Sequence, residues 1–166
     1  DRDPLTGALN RRRLDEYLNE AIDRKRRTNT PASILVFDLD HFKSINDTYG
    51  HAEGDRVLTK FVELVVAHSR RLDKLFRLGG EEFMLLLPDT PLSGATHLAV
   101  KMLSIIEKEE IIAGHRVTSS IGLGELAAGE SVDEWLTRCD GAVYEAKRLG
   151  RNRIELSEAN NNGHQD

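Results

Sequence analysis

Two kinds of apolar run alternate along this chain. Ser33-Ile34-Leu35-Val36-Phe37 is continuous, as a strand covered on both faces would be, and it stops abruptly at Asp38-Leu39-Asp40. Phe83-Met84-Leu85-Leu86-Leu87 is equally continuous and is joined to the run ending at Phe76 by Arg77-Leu78-Gly79-Gly80-Glu81-Glu82. Two extended runs with paired glycines between them predict a β-hairpin. Elsewhere the spacing is helical. Leu14, Tyr17, Leu18, Ala21 and Ile22 follow Asn10, a candidate cap, and end in Lys25-Arg26-Arg27. His41 to Tyr49 predicts a short helix closed by Gly50, with Phe42 and Ile45 inward. A loop over His51-Ala52-Glu53-Gly54 then leads to Asp55, which can cap a helix burying Val57, Leu58, Phe61, Val62, Leu64 and Val65 and ending at Arg70-Arg71-Leu72-Asp73.

After the hairpin, Pro88-Asp89-Thr90-Pro91 breaks the strand, and Ser93 precedes a helix with Ala95, Leu98, Ala99, Met102, Leu103 and Ile106 inside. Ile111-Ile112, a turn at Gly114, and Arg116 to Gly122 read as another strand region, which the β-branched content supports. Ser131-Val132-Asp133-Glu134 is a capping box, Gly150 closes the helix it opens, and Arg153 to Leu156 can form one more strand. The pattern predicts an α+β domain, helices flanking a mainly antiparallel central sheet, over residues 1–157, with a disordered Asn-rich tail over 158–166.

Composition narrows the picture. With 166 residues, 39% hydrophobic and 31% charged, one domain with a full core is expected. A net charge of −5 argues against a general nucleic-acid binder. Cys139 is the single cysteine, so no internal disulfide can form. No apolar stretch is long enough to span a bilayer, and Asp1-Arg2-Asp3 carries neither a signal peptide nor an initiator Met, so an excised domain with regulation upstream is expected.

The candidate chemistry lies where the apolar runs stop. Gly79 and Gly80 lack a Cβ and let a ligand lie against bare backbone, while Glu81 and Glu82 follow at once. Taken alone, this is an ordinary hairpin with solvated glutamates. If its strands neighbour the one ending at Asp38, the three carboxylates make a hard oxygen site suited to magnesium and a metal-bridged nucleotide. Asp40 can instead be a helix cap. Lys43, Lys147 and Arg151 could meet phosphate charge, and Asn46 and Asp55 a base. Lys147 and Arg151 also have a plain role at a helix end, and Arg70 with Asp73 reads as a surface ion pair.

Several motifs in order then carry a resemblance: Asp3-Pro4-Leu5-Thr6-Gly7, Asn10-Arg11-Arg12, Phe37-Asp38-Leu39-Asp40-His41-Phe42-Lys43, Asn46-Asp47, Gly50-His51, Gly54-Asp55, Gly79-Gly80-Glu81-Glu82-Phe83, Ala146-Lys147 and Gly150-Arg151-Asn152-Arg153. The chain resembles a GGDEF-type diguanylate cyclase domain in its GGEEF variant. Ala8 and Leu9 depart from the usual Leu-Pro-Asn pattern, away from the proposed chemistry. The resemblance implies a palm-like nucleotidyl-cyclase fold and metal-dependent condensation of two GTP into cyclic di-GMP with release of two pyrophosphates. Asp38, the carbonyl of Leu39, Glu81 and Glu82 would be metal ligands for two Mg2+ or Mn2+ ions, and Glu81 would also accept the 3′-hydroxyl proton. Lys43 would stabilise charge on the reacting phosphates. Asn46 and Asp55 would read guanine with His51 and Leu58 nearby, Gly79 and Gly80 would line the nucleotide, and Lys147 and Arg151 would hold the phosphate tail. Arg70 and Asp73 stand where the family carries a product-inhibition site. A homodimer, an upstream regulatory domain and a cytoplasmic location, including the cytoplasmic part of a membrane-attached protein, complete the expectation.

Two other readings compete. A non-catalytic module binding GTP or cyclic di-GMP would have no need of Asp38, Glu81, Glu82 and Lys43 together. An ATP-using relative is disfavoured because an Asp such as Asp55 can accept from guanine N1–H and N2–H₂, a pair adenine lacks.

Overall fold

The computed structural model describes residues 1–159. The elements run β1 (Leu9–Asn10), a 3₁₀ turn (Arg11–Arg13), α1 (Leu14–Thr28), β2 (Ala32–Leu39), α2 (Phe42–Tyr49), α3 (His51–Ala67), β3 (Lys74–Gly79), β4 (Glu82–Pro88), α4 (Leu92–Lys108), β5 (Ser119–Glu125), α5 (Val132–Arg148) and β6 (Arg153–Leu156). One sheet in the order β1-β3-β4-β2-β5-β6 joins all the strands. Its inner pairs β3–β4, β4–β2 and β2–β5 are antiparallel, and the outer pairs β1–β3 and β5–β6 are parallel. The expected mainly antiparallel sheet with flanking helices is therefore present.

β2 is buried at every position, which is why its sequence shows no polar alternation. Leu35, Phe37 and Leu39 pack with Phe61 of α3 and Met102 of α4 on one face. Ile34 and Val36 pack with Leu18 of α1 and Trp135 and Cys139 of α5 on the opposite face. The same alternation puts Asp38 on the α5 side of the sheet. Burial raises the Cys139 thiol to about 12, so this cysteine is a core residue and not a nucleophile.

Local signals held where their partners are close in sequence. The Ser131 hydroxyl accepts from the Glu134 amide and the Glu134 carboxylate accepts from the Ser131 amide, as the capping box requires. Asn10 caps the 3₁₀ turn that leads into α1 by accepting from the Arg12 amide.

Other boundaries moved. The expected loop over 51–54 is the first turn of α3, so Asp55 lies inside that helix and caps nothing. Gly50, at φ +91°, makes the whole corner between α2 and α3. Asp40 is not a cap either, since α2 starts after His41, which sits in the left-handed region at φ +56°. α3 ends at Ala67, leaving Arg70 to Asp73 in the turn before β3. α4 begins at Leu92, whose amide is taken by the distant Glu125 carboxylate, so Ser93 is interior. β5 begins at Ser119 and not Arg116. For the expected tail, 160–166 lie outside the described residues.

The glycines of β5 bring α5 against the sheet. A Cβ at Gly122 would stand 2.4 Å from the Cys139 carbonyl oxygen and 2.6 Å from the Val143 amide nitrogen. Both are backbone atoms of a helix packed across the strand and cannot swing aside. Gly122→Ala is expected to destabilise the domain by about 1–3 kcal/mol, the usual cost of overpacking, as measured by urea denaturation. An unchanged midpoint would show that α5 is not seated as described.

Candidate active site

The topology gathers Asp38, Leu39, Glu81 and Glu82 at one edge of the sheet. β2 runs into that edge at Asp38 and Leu39, β4 leaves it at Glu82, and β5 leaves it at Ser119, with Asp38 in register with Glu82 on one side and Ser120 on the other. The β3–β4 turn lies there too. The Glu81 carbonyl accepts from the Leu39 amide at 3.2 Å, fixing the Gly-Gly tip to the end of β2. Gly80 is at φ +40°, and nothing lies within 4 Å of a Cβ built at Gly79 or Gly80, so the tip presents open backbone.

The end of α5 comes to the same edge because β6, which follows it, runs parallel to β5. The Lys147 ammonium donates to Asp38 Oδ2 at 2.5 Å. Asp38 is only 7% exposed, and its carboxyl is raised above the ordinary range first by desolvation. Lys147 opposes that shift, while the charges of Glu81 and Asp40 add to it. Glu82 is raised for like reasons: desolvation, then Asp38, Asp140 and Glu81. Carboxylates that raise one another in this way form a site short of positive charge. Lys147 is the cation presently answering it.

A hard divalent ion would answer the same deficit, and the oxygen donors suit one. Among the described residues no three Asp, Glu, His or Cys side chains are arranged to hold a metal by themselves. Binding would therefore draw on water, on phosphate oxygens and on backbone such as the Leu39 carbonyl, as magnesium sites commonly do.

Asp40 has a different task from the one its sequence position suggested. It is 4% exposed and accepts from Ser120 Oγ at 2.6 Å, Thr118 Oγ1 at 2.7 Å and the Asn152 amide at 3.0 Å. One buried carboxylate thus ties the end of β2 to β5 and to the loop carrying Arg151, which is itself at φ +65°. Arg77 was also missed as a positioning residue. It donates twice to the Gly80 carbonyl, at 2.8 and 3.0 Å, and twice to the Asp3 carboxylate, at 3.1 and 3.2 Å. Burial works against the Asp3 charge, but hydrogen bonds from Thr6 and Arg77 hold its carboxyl below the usual range. The N-terminal Asp-x-Leu-Thr turn is thereby clamped to the glycine tip.

Across the edge, α2 and α3 present the remaining residues. Lys43 and Asn46 are three apart on α2 and share a face. His51 and Asp55 are four apart on α3, both exposed. Leu58 is 3% exposed within the core and offers a ligand little more than pocket wall. Arg70 and Asp73 are brought together, but at the opposite edge of the sheet, roughly 20 Å away at about 3.3 Å per strand residue. There Asp73 is buried and accepts from the Arg70 amide at 2.7 Å and guanidinium at 3.0 Å, and Arg70 also donates to the Pro88 carbonyl and Thr90 Oγ1. This is a built turn and not the loose surface pair that the spacing alone suggests.

Comparison with known proteins decides the family. Residues 1–153 match the family described as "Diguanylate cyclase, GGDEF domain". This chain belongs to the GGDEF domain family. Diguanylate cyclase DgcM of Escherichia coli K12 is 41% identical over 152 residues, covering 92% of this chain and 37% of DgcM. Response regulator PleD of Caulobacter vibrioides is 37% identical over 158 residues, covering 92% of this chain and 35% of PleD. The chain thus spans about a third of these relatives. Diguanylate cyclase SiaD of Pseudomonas aeruginosa, solved with its activator SiaC, superposes with a TM-score of 0.89 at 38% identity over 94% of this chain and 61% of SiaD. The active GGEEF domain of a diguanylate cyclase from Vibrio cholerae gives 0.87 at 32% identity over 92% of this chain and 99% of that one. The GGDEF domain of DgcB from Caulobacter crescentus, solved with c-di-GMP, gives 0.89 at 30% identity over 95% and 93%. The palm-like fold expected of a GGDEF domain is therefore established. Among the described residues no helix is long and apolar enough to cross a membrane.

Proposed function

We propose that this GGDEF domain is a diguanylate cyclase that condenses two GTP molecules into cyclic di-GMP and releases two pyrophosphates. The observation that carries the reading is the register of Asp38 with Glu82 beside an open Gly-Gly tip, at an edge that also holds Lys147. Acids short of positive charge beside a stripped turn suit phosphoryl transfer, in which positioning and neutralisation supply most of the catalysis.

In this account Asp55 accepts from guanine N1–H and N2–H₂, and the Asn46 amide donates to O6. His51 and the Leu58 edge flank the base. Gly79 and Gly80 leave room for the phosphates, and Lys43, Lys147 and Arg151 balance their charge. Lys147 leaves Asp38 for the triphosphate as the nucleotide enters. Asp38, Glu81, Glu82 and the Leu39 carbonyl would hold two Mg2+ or Mn2+ ions. These, when bound, would polarise the α-phosphate and stabilise the pyrophosphate leaving group. Glu81 takes the proton of the 3′-hydroxyl. The 3′-oxygen forms a bond to the α-phosphorus of the other GTP, the α–β bridging P–O bond breaks, and pyrophosphate departs. The same exchange in the reverse direction closes the ring.

Each GTP must supply a hydroxyl to the other, so two domains face one another about a two-fold axis. An upstream segment or partner would govern that pairing in the cytoplasm. Cyclic di-GMP would bind at Arg70 and Asp73 and slow turnover from the far edge of the sheet.

Purified domain with GTP and magnesium should yield cyclic di-GMP by chromatography, with specific activity rising with protein concentration and lost in EDTA. Glu81→Gln should lower kcat at least about a hundredfold, the lower range for losing a general base. Turnover of ATP without cyclic di-GMP, or full activity in a dilute monomer by light scattering, would contradict the proposal. Arg70→Ala should raise the cyclic di-GMP inhibition constant severalfold at undiminished initial rate. An unchanged constant would remove the assignment of that turn.

A further inference from the structure

The corner where α2 meets α3 is built on a residue with no side chain. Gly54 is buried, helical, and bonded through its amide to the Gly50 carbonyl at 3.1 Å. Its backbone is not in the left-handed region, so conformation does not demand glycine. In a helix interior glycine costs about 1 kcal/mol relative to alanine, so local preference favours alanine here. What the position lacks is space. A Cβ built on Gly54 would stand 1.8 Å from Asn46 Oδ1, 3.0 Å from Asn46 Cγ and 3.3 Å from Phe42 Cζ. The Asn46 amide lies in the volume that any other side chain would fill.

The next residue is Asp55, exposed at the same turn of α3. Contact of Asn46 with Gly54 therefore brings the amide to the neighbourhood of the carboxylate from a separate helix. We propose that Gly54 is a specificity-determining position, whose missing Cβ seats Asn46 beside Asp55 so that the two address one guanine edge. The inference rests on the proposed GTP reading and deepens it. Guanine presents an acceptor, O6, next to two donors, and an amide donor held next to a carboxylate matches that order. A displaced amide leaves O6 without its partner, and adenine, with an amino group in place of O6, is then rejected less strongly.

Gly54 differs from Gly122 in what the added methyl meets. At Gly122 the obstacle is helix backbone, whereas at Gly54 it is chiefly the far end of a side chain that can rotate away. Gly54→Ala is therefore a separation-of-function variant: the fold persists and the base reader moves.

The test compares wild type, Gly54→Ala, Asn46→Ala and the double variant by thermal melting, by calorimetric titration with GTP and with ATP, and by steady-state kinetics. Gly54→Ala should melt at or above wild type, bind GTP roughly five- to tenfold more weakly, as for one lost hydrogen bond, and narrow the GTP-to-ATP preference. KM should rise with kcat less affected. In the Asn46→Ala background the Gly54→Ala substitution should add no further loss. GTP affinity equal to wild type in Gly54→Ala overturns the inference, whatever its melting temperature. So does a loss that is undiminished when Asn46 is already alanine. A wild-type domain that binds ATP as well as GTP removes the functional reading itself, and the inference with it.

Discussion

The structure depends on a carboxylate placed at the end of a strand that is covered on both faces. Asp38 inherits the burial of β2 without its apolarity, and a buried charge must be matched. Lys147 supplies the match from α5, a helix seated on β5 through glycines that leave no room for a methyl. The β2–β4 register sets Glu82 against Asp38, and a slip of one residue would put the two on opposite faces of the sheet. Strand pairing, helix packing and the charge balance at this edge are therefore one constraint.

The two faces of the sheet divide the proposed work. The α5 side brings the cation to Asp38, and the α2–α3 corner presents amide and carboxylate for a base. Between them the Gly-Gly tip is held from three directions, by the Leu39 amide, by the Arg77 guanidinium and, through Arg77, by Asp3. Asp3 reaches the tip through a half-buried ion pair with Arg77, 74 residues away in sequence.

Much of this was legible in the sequence, for reasons that can be named. The continuous apolar run of β2, the Gly-Gly hairpin and the Ser131–Glu134 box depend on neighbours a few residues away, and their signals are local. The site carboxylates could be assembled once β2 and β4 were taken as adjacent. Asp40 was read as a cap because its partners Thr118, Ser120 and Asn152 lie 78, 80 and 112 residues away. Residues 51–54 lack the apolar spacing that marks a helix, so the first turn of α3, with Gly54 against Asn46, shows only in the structure. Arg77 carried no signal of its own, since its partners are a backbone carbonyl and a distant aspartate.

The central claim is that the Asp38 edge is a cation site that Lys147 occupies in the nucleotide-free domain. It is tested most directly by a crystal structure of the domain with Mn2+ and a non-reactive GTP analogue, using anomalous scattering to locate the metal. The account predicts manganese on Asp38 and Glu81 with the Lys147 ammonium withdrawn to the triphosphate. Manganese bound elsewhere, with Lys147 still paired to Asp38, would contradict it.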